Sequence, residues 1–209
     1  MLCACATLAA TLGLTDLATG RQIGGPDVTP TLVYRAHADV DGDGRSDTIL
    51  LKASATGGSL QVKLATGAPI SVKTASDAPF LPGLVAAGNV NGLPGAELFV
   101  DEQHITTDEV IAVYTLSGGR LMRAGALPAY GSDFGIRFGM SCRAAAGRHY
   151  VDDDLYQLLG NGSGRHWTLQ RTSYEWRGAR LRQTASHPAH RISTGPSRSQ
   201  VGVHCGRLL

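Results

Sequence analysis

The residues best suited to chemistry in this chain are the carboxylates of Asp39-Val40-Asp41-Gly42-Asp43-Gly44-Arg45-Ser46-Asp47. They fall at positions 1, 3, 5 and 9 of the loop, with glycine at position 6. Ca²⁺ is a hard cation that takes roughly 6–8 oxygen ligands, and this spacing turns alternate side chains inward onto one ion. Gly44 permits the sharp turn, and the carbonyl of Arg45 falls at position 7, where a backbone oxygen joins the set. Asp39, Asp41, Asp43 and Asp47 are therefore the expected side-chain ligands of a Ca²⁺ site, with Arg45 as a carbonyl ligand. Four acids within nine residues otherwise repel one another. The competing reading is a solvated acidic turn, since Asp and Gly are also ordinary turn residues. Position 12 is Leu50, where a helix-loop-helix sensor carries a bidentate acid, so the expected role is a structural staple rather than a switch.

No nucleophile motif accompanies the loop. Gly160-Asn161-Gly162-Ser163-Gly164 has the outline of a serine-hydrolase elbow, but Asn161 stands where a glycine is required, and the expectation is a flexible turn. Asp152-Asp153-Asp154 reads as an exposed acidic turn, with an arginine partner or a second ion as alternatives. His187, His190, His204 and Cys205 would supply zinc-type ligands, but Cys205 is better matched to Cys142. Tyr150, Tyr156, Trp167, Tyr174 and Trp176 cluster late in the chain; filling strand cores is the expectation, a carbohydrate-binding surface the alternative. There is no phosphate-binding glycine loop before a helix and no HExxH. No catalytic residue is expected.

The elements that position the acidic loop are strands. Residues 31–37 are a β-prone run entering it, and Thr48-Ile49-Leu50-Leu51-Lys52 leaves it. Gly57-Gly58 turns the chain into Leu60-Gln61-Val62-Lys63-Leu64, which alternates with period two, and Gly67 leads to Ile70-Ser71-Val72-Lys73. Fifty residues later the pattern returns: Ala38-Asp39-Val40-Asp41-Gly42 aligns with Gly88-Asn89-Val90-Asn91-Gly92, and Asp47 with Glu97. A fixed period of this size marks repeat architectures. A fainter third copy starts near Cys142, without the carboxylates, and Trp176-Arg177-Gly178-Ala179 reads as a hairpin turn. Residues 186–200 read as a loop, and residues 201–205 as a last short strand returning to Cys142.

An acidic loop preceded by Ala38, followed by an apolar strand and repeated at a fixed interval, resembles the FG-GAP/VCBS repeat family of integrin-like β-propeller repeats and secreted bacterial proteins. The resemblance covers roughly residues 31–183. It implies an all-β fold of antiparallel, blade-like repeats of about fifty residues, in units of about 31–80, 81–130 and 131–209, forming a partial or incomplete β-propeller. It also implies that the ion staples a hairpin between two strands. The second copy departs from the pattern, because Leu93 removes a ligand and Asn89 and Asn91 remove charge.

Composition bounds the rest. The chain has 209 residues, 27 glycines, 9 prolines and few aromatics, which argues for short elements joined by turns and against a helical bundle. The net charge of +2 is too small to suggest a polyanion partner, nucleic acid included. Residues 1–141 carry 9 basic and 13 acidic side chains, and residues 142–209 carry 10 and 4, every base in the latter an arginine. A cell-wall polyanion is conceivable for that part; arginines scattered over solvated strand faces are the plainer expectation.

Residues 2–14 are uncharged and too short to span a bilayer. Residues 1–30 are expected to be a truncated secretory signal and lead-in, with Cys5 of Leu2-Cys3-Ala4-Cys5 as a lipid-anchor candidate. In an oxidising compartment Cys142 and Cys205 are expected to pair, the alternative being two reduced thiols. The functional expectation is a calcium-stabilised, non-catalytic binding or adhesion protein, secreted or attached to the cell envelope. Its expected partner is a cell-surface glycan or protein; the competing expectation is a secreted enzyme or accessory acting on wall polymer or polysaccharide.

Overall fold

Period-two alternation shapes the first sheet. In the computed structural model, which describes residues 32–54, 57–67, 69–75, 82–105, 108–129 and 135–208, the run after the acidic loop is strand β2 (Asp47–Ser54). Its Ile49, Leu51 and Ala53 are fully buried, and Thr48, Leu50 and Lys52 point to the opposite side. It pairs antiparallel with β1 (Leu32–Ala38) and β3 (Gly57–Lys63), and β3 pairs with β4 (Pro69–Thr74), giving the order β1-β2-β3-β4. The lead-in with Cys3 and Cys5 lies outside the described residues.

The middle sheet is built from β5 (Gly83–Gly88), β6 (Glu97–Ile105), β7 (Asp108–Ser117) and β8 (Arg120–Ala129). Leu98-Phe99-Val100 and Ile111-Ala112-Val113-Tyr114 are buried without alternation. The cause is a covered surface on both sides. Leu98, Val100, Ala112 and Tyr114 pack with Ile49, Leu51, Leu60 and Val62 of the first sheet. Phe99, Ile111 and Val113 pack with Met140, Val151 and Trp176 of the third. The protein is thus a stack of three sheets with two apolar seams.

The third sheet contains β9 (Ile136–Ala145), β10 (Arg148–Leu159), β11 (His166–Arg177) and β12 (Arg180–Ile192). The chain end then ties two sheets together. Strand β13 (Gly202–His204) pairs parallel with β9, and β14 (Arg207–Leu208) pairs antiparallel with β5 of the middle sheet. Between them Cys205 is bridged to Cys142 of β9, with Cα atoms 5.0 Å apart at a sequence separation of 63. Backbones meet closely here: a Cβ at Gly139 would strike the Gln200 carbonyl, and one at Gly88 would strike the Cα of Gly206.

Each sheet has its first hairpin connection in the same place in its strand order: the acidic loop between β1 and β2, residues 89–96 between β5 and β6, and Ala146-Gly147 between β9 and β10. Among the described residues the three sheets do not close into a barrel or ring.

Two sequence expectations change. Residues 186–192 are not loop but the second half of β12. Pro188 is accommodated because β12 is an edge strand and a register shift opposite Gln170 removes the ladder bond that proline cannot make. Asp152-Asp153-Asp154 is not an exposed turn: all three lie buried in the interior of β10.

Candidate functional site

The acidic loop closes on its own carboxylates. Asp39 accepts the backbone N–H groups of Gly42 at 2.7 Å and Asp43 at 3.1 Å on Oδ1, and that of Gly44 at 2.9 Å on Oδ2. Asp41 Oδ1 accepts from Asp43 N at 3.2 Å, and Asp43 Oδ1 from Arg45 N at 2.8 Å. Gly42 and Gly44 sit at φ 76° and 84°, the left-handed conformations that let three aspartates share one concavity. One carboxylate oxygen from each of Asp39, Asp41 and Asp43 lies within 4.8 Å of the others, so these three could hold a metal ion. The donors are all hard oxygens, the chemistry of a Ca²⁺ or Mg²⁺ site rather than a zinc site. Partial desolvation and the neighbouring Asp47, Asp43 and Asp39 charges push the Asp41 carboxyl above the usual range, against the lowering effect of the Asp43 N–H.

Asp47 stands apart from this trio. It is 1 % exposed and both its oxygens point inward, Oδ2 accepting Val40 N at 2.7 Å and Oδ1 accepting Ala65 N at 2.8 Å. The Arg45 side chain is exposed, with Nε 3.8 Å from Asp43 Oδ2.

The second loop repeats the frame without the charges. Glu97 is buried where Asp47 was and accepts Val90 N at 2.9 Å, together with the Thr115 hydroxyl at 3.0 Å. Asn91 adds its N–H at 3.2 Å and its amide at 2.6 Å to the same carboxylate, and the Asn89 amide donates to the Leu93 carbonyl at 2.6 Å. Desolvation by burial raises the Glu97 carboxyl in spite of these donors. Sequence reasoning missed the role of this position. The signal was there, since the second copy loses the acids at positions 1, 3 and 5 but keeps one at position 9.

The two loops interlock. Ala96 N donates to the Asp39 carbonyl at 2.8 Å. A Cβ at Gly42 would fall into Pro94, and one at Gly95, whose φ is 104°, into the Val40 carbonyl. Beside this contact is a cleft of about 290 Å³ whose lining includes His37, Asp39, Asn89 and Ala96. The second loop in turn meets the third sheet, because a Cβ at Gly92 would strike the His149 ring.

The outer face of the third sheet carries most of its charge in pairs. Asp152 accepts from Arg143 Nε at 2.6 Å and the Ser173 hydroxyl at 2.6 Å; Asp154 takes a two-pronged contact from Arg171 at 2.5 and 2.7 Å. Glu175 sits between Arg148 at 3.4 Å and Arg177 at 3.2 Å, and Arg143 lies 4.2 Å from the Tyr150 ring centroid. Burial raises the Asp152 carboxyl, but the Arg143 and Ser173 hydrogen bonds and the charges of Arg143 and Arg171 outweigh it and leave it below its ordinary value. A groove of about 530 Å³ crosses this face, lined by Tyr150, Glu175 and His187 among others.

On the inward face, Asp153 is 4 % exposed and its Oδ1 has no hydrogen-bond partner. Desolvation, with the charge of Asp154 added, pushes its pKa up to about 7. Tyr174 and Trp176 pack into the apolar seam, while Trp167 borders a cleft with Arg137 and Arg198 on the outer side, so the aromatic residues do not form one platform. Among the described residues the histidines and Cys205 are not gathered into a metal-ligand set, and Ser163 lies in a short 3-10 turn, Gly162–Gly164. At the first seam, buried Glu102 accepts from the Tyr114 hydroxyl, from Arg123 at 2.7 Å and from Ala75 N at 3.2 Å, a network the sequence did not suggest. No family model, curated protein or solved structure matches the chain.

Proposed function

We propose that the chain is a calcium-stabilised, non-catalytic binding module of the cell envelope or extracellular space, built from FG-GAP/VCBS-like repeats. The observation that carries this reading is the group of Asp39, Asp41 and Asp43, whose ligand oxygens lie within 4.8 Å in a loop bent by two left-handed glycines. Ca²⁺ bound there ties the first hairpin to the second loop through the Asp39 carbonyl and Gly42, and so stiffens the end of the stack at which the hairpins meet. The donor set suits occupancy at extracellular Ca²⁺, roughly 10⁻⁴–10⁻³ M. The repeat reading draws support from the bond between a loop N–H and a buried acid that recurs fifty residues apart. The Cys142–Cys205 bridge favours an oxidising compartment. The non-catalytic reading draws support from the arginine partners of Asp152, Asp154 and Glu175, which engage these carboxylates in ion pairs.

The test is thermal melting with EDTA and with millimolar Ca²⁺. Chelation lowers Tm, readdition restores it, and Asp41→Ala abolishes the calcium response. An Asp41→Ala protein that melts like wild type in millimolar Ca²⁺ sinks the site.

A further inference from the structure

The two outer faces of the stack differ in their charge chemistry. On the third sheet Arg143 of β9 and Arg171 and Arg177 of β11 are engaged by buried acids. On the first sheet they have no counterpart. The chain has three lysines, Lys52, Lys63 and Lys73, and all three lie exposed on the outer face of the first sheet, beside exposed Arg35 and His37. None of these basic side chains makes an ion pair among the described residues.

Register places them on one grid. Val33, Lys52, Ser59 and Lys73 form one cross-strand row, Arg35, Leu50, Gln61 and Ser71 the next, and His37, Thr48, Lys63 and Pro69 the third. No position of the grid is acidic. Strands about 4.8 Å apart and same-face residues about 7 Å apart make a patch about 14 Å on each side. Uncompensated positive charge on so small an area favours a polyanion despite a net charge near zero.

The rest of the face chooses the class of polyanion. Its three rows hold no Phe, Tyr or Trp, so they offer no extended stacking platform for single-stranded bases. It projects neither a helix nor a two-stranded ribbon that could enter a duplex groove. Hydroxyl and amide side chains stand between the cations, as sugar hydroxyls between acidic groups require. We propose that the outer face of the first sheet binds an acidic polysaccharide, with Arg35, Lys52, Lys63 and Lys73 contacting its carboxylate or sulfate groups. This names the partner and the face for the binding role proposed above and rests on that role; the lysine grid is separate from the Asp39 loop, so the two ideas fail separately.

The test uses the full chain with immobilised polygalacturonate and dextran sulfate, and neutral dextran as control, at about 0.1 M salt. Wild type is retained on both acidic polymers and not on dextran. Lys52→Gln/Lys63→Gln/Lys73→Gln weakens binding about tenfold or more, while Lys52→Arg/Lys63→Arg/Lys73→Arg keeps it. Arg180→Gln/Arg182→Gln/Arg191→Gln, which removes the same charge from exposed positions on β12, changes binding less than about twofold. Equal losses for the lysine and arginine sets, no binding by wild type, or tighter binding to duplex DNA or phosphatidylserine vesicles would each overturn the proposal. Binding that survives EDTA and fails in the lysine-to-glutamine variant supports the face whatever the calcium melts report. Binding lost in EDTA and untouched by that variant overturns the face and leaves the calcium reading standing.

Discussion

The backbone N–H of Val40 donates to Oδ2 of Asp47 across 2.7 Å, closing the acidic loop from inside rather than facing its cavity. The same bond joins Val90 to Glu97 at 2.9 Å in a loop that lacks the other aspartates. Removing the carboxylate strands the buried donor Val40 N, worth about 1–3 kcal/mol, and frees the part-buried Ala65 N, which water can reach. Asp47→Ala therefore costs about 2–4 kcal/mol, and the loss is as large in EDTA as in Ca²⁺. Urea unfolding under both conditions checks this; an effect seen only with Ca²⁺ would make Asp47 a ligand after all.

Gly42 and Gly44 share left-handed backbone, at φ 76° and 84°, but differ in surroundings. A Cβ at Gly42 runs into Pro94 of the second loop, whereas one at Gly44 meets nothing within 4 Å. Gly44→Ala costs the conformational penalty alone, about 1–2 kcal/mol. Gly42→Ala adds the displacement of Pro94 and costs about 2–4 kcal/mol. The difference between the two variants in denaturant melts measures the contact between loops; equal values would mean that the loops separate freely.

Legibility in the sequence followed the range of the interactions involved. Leu60 and Val62 alternate with Gln61 and Lys63, and Ile49 to Leu51 is a short apolar run bounded by Thr48 and Lys52, so these strands of the first sheet were readable from local pattern. The unbroken runs at 98–100 and 111–114 said strand but not that two sheets cover them, because that depends on partners far along the chain. Asp39, Asp41 and Asp43 were legible because a loop ligand set is local. Asp152 and Asp154 misled because their counter-charges, Arg143 and Arg171, reach them across strand pairs from 9 and 17 residues away. The uncompensated lysine face was hidden for the same reason: Lys52, Lys63 and Lys73 share a side only once register is set.

Asp153 makes stability depend on pH with a sign opposite to the usual carboxylate. Its folded pKa is raised from 3.8 to about 7, so the folded state holds this proton more tightly than the unfolded chain. The contribution is fully present below about pH 4 and is lost as pH rises towards about 7. Asp152, with its lowered pKa, acts in the other direction at the acid end, so the clean observable is a difference between proteins. Asp153→Asn gains stability relative to wild type between pH 4 and pH 8, by as much as about 4 kcal/mol, because a shift of this size carries about that free energy. Urea midpoints measured across that range give the difference; a pH-independent difference would rule out Asp153 as its source.

The Cys142–Cys205 bridge closes a span of 63 residues, worth about 4 kcal/mol in the chain-entropy view. Its position adds a structural consequence. Cys205 lies between β13 on the third sheet and β14 on the middle sheet, and β14 is only two residues long, Arg207–Leu208. So short a strand has little hold of its own, which leaves the bridge to keep the chain end seated against Gly88 and Gly139. Cys142→Ser/Cys205→Ser should lower Tm and also speed amide exchange selectively at 202–208 and at the facing residues 86–87 and 139–141. Faster exchange spread evenly over all three sheets, without that local signature, would show that the bridge restrains only the unfolded chain.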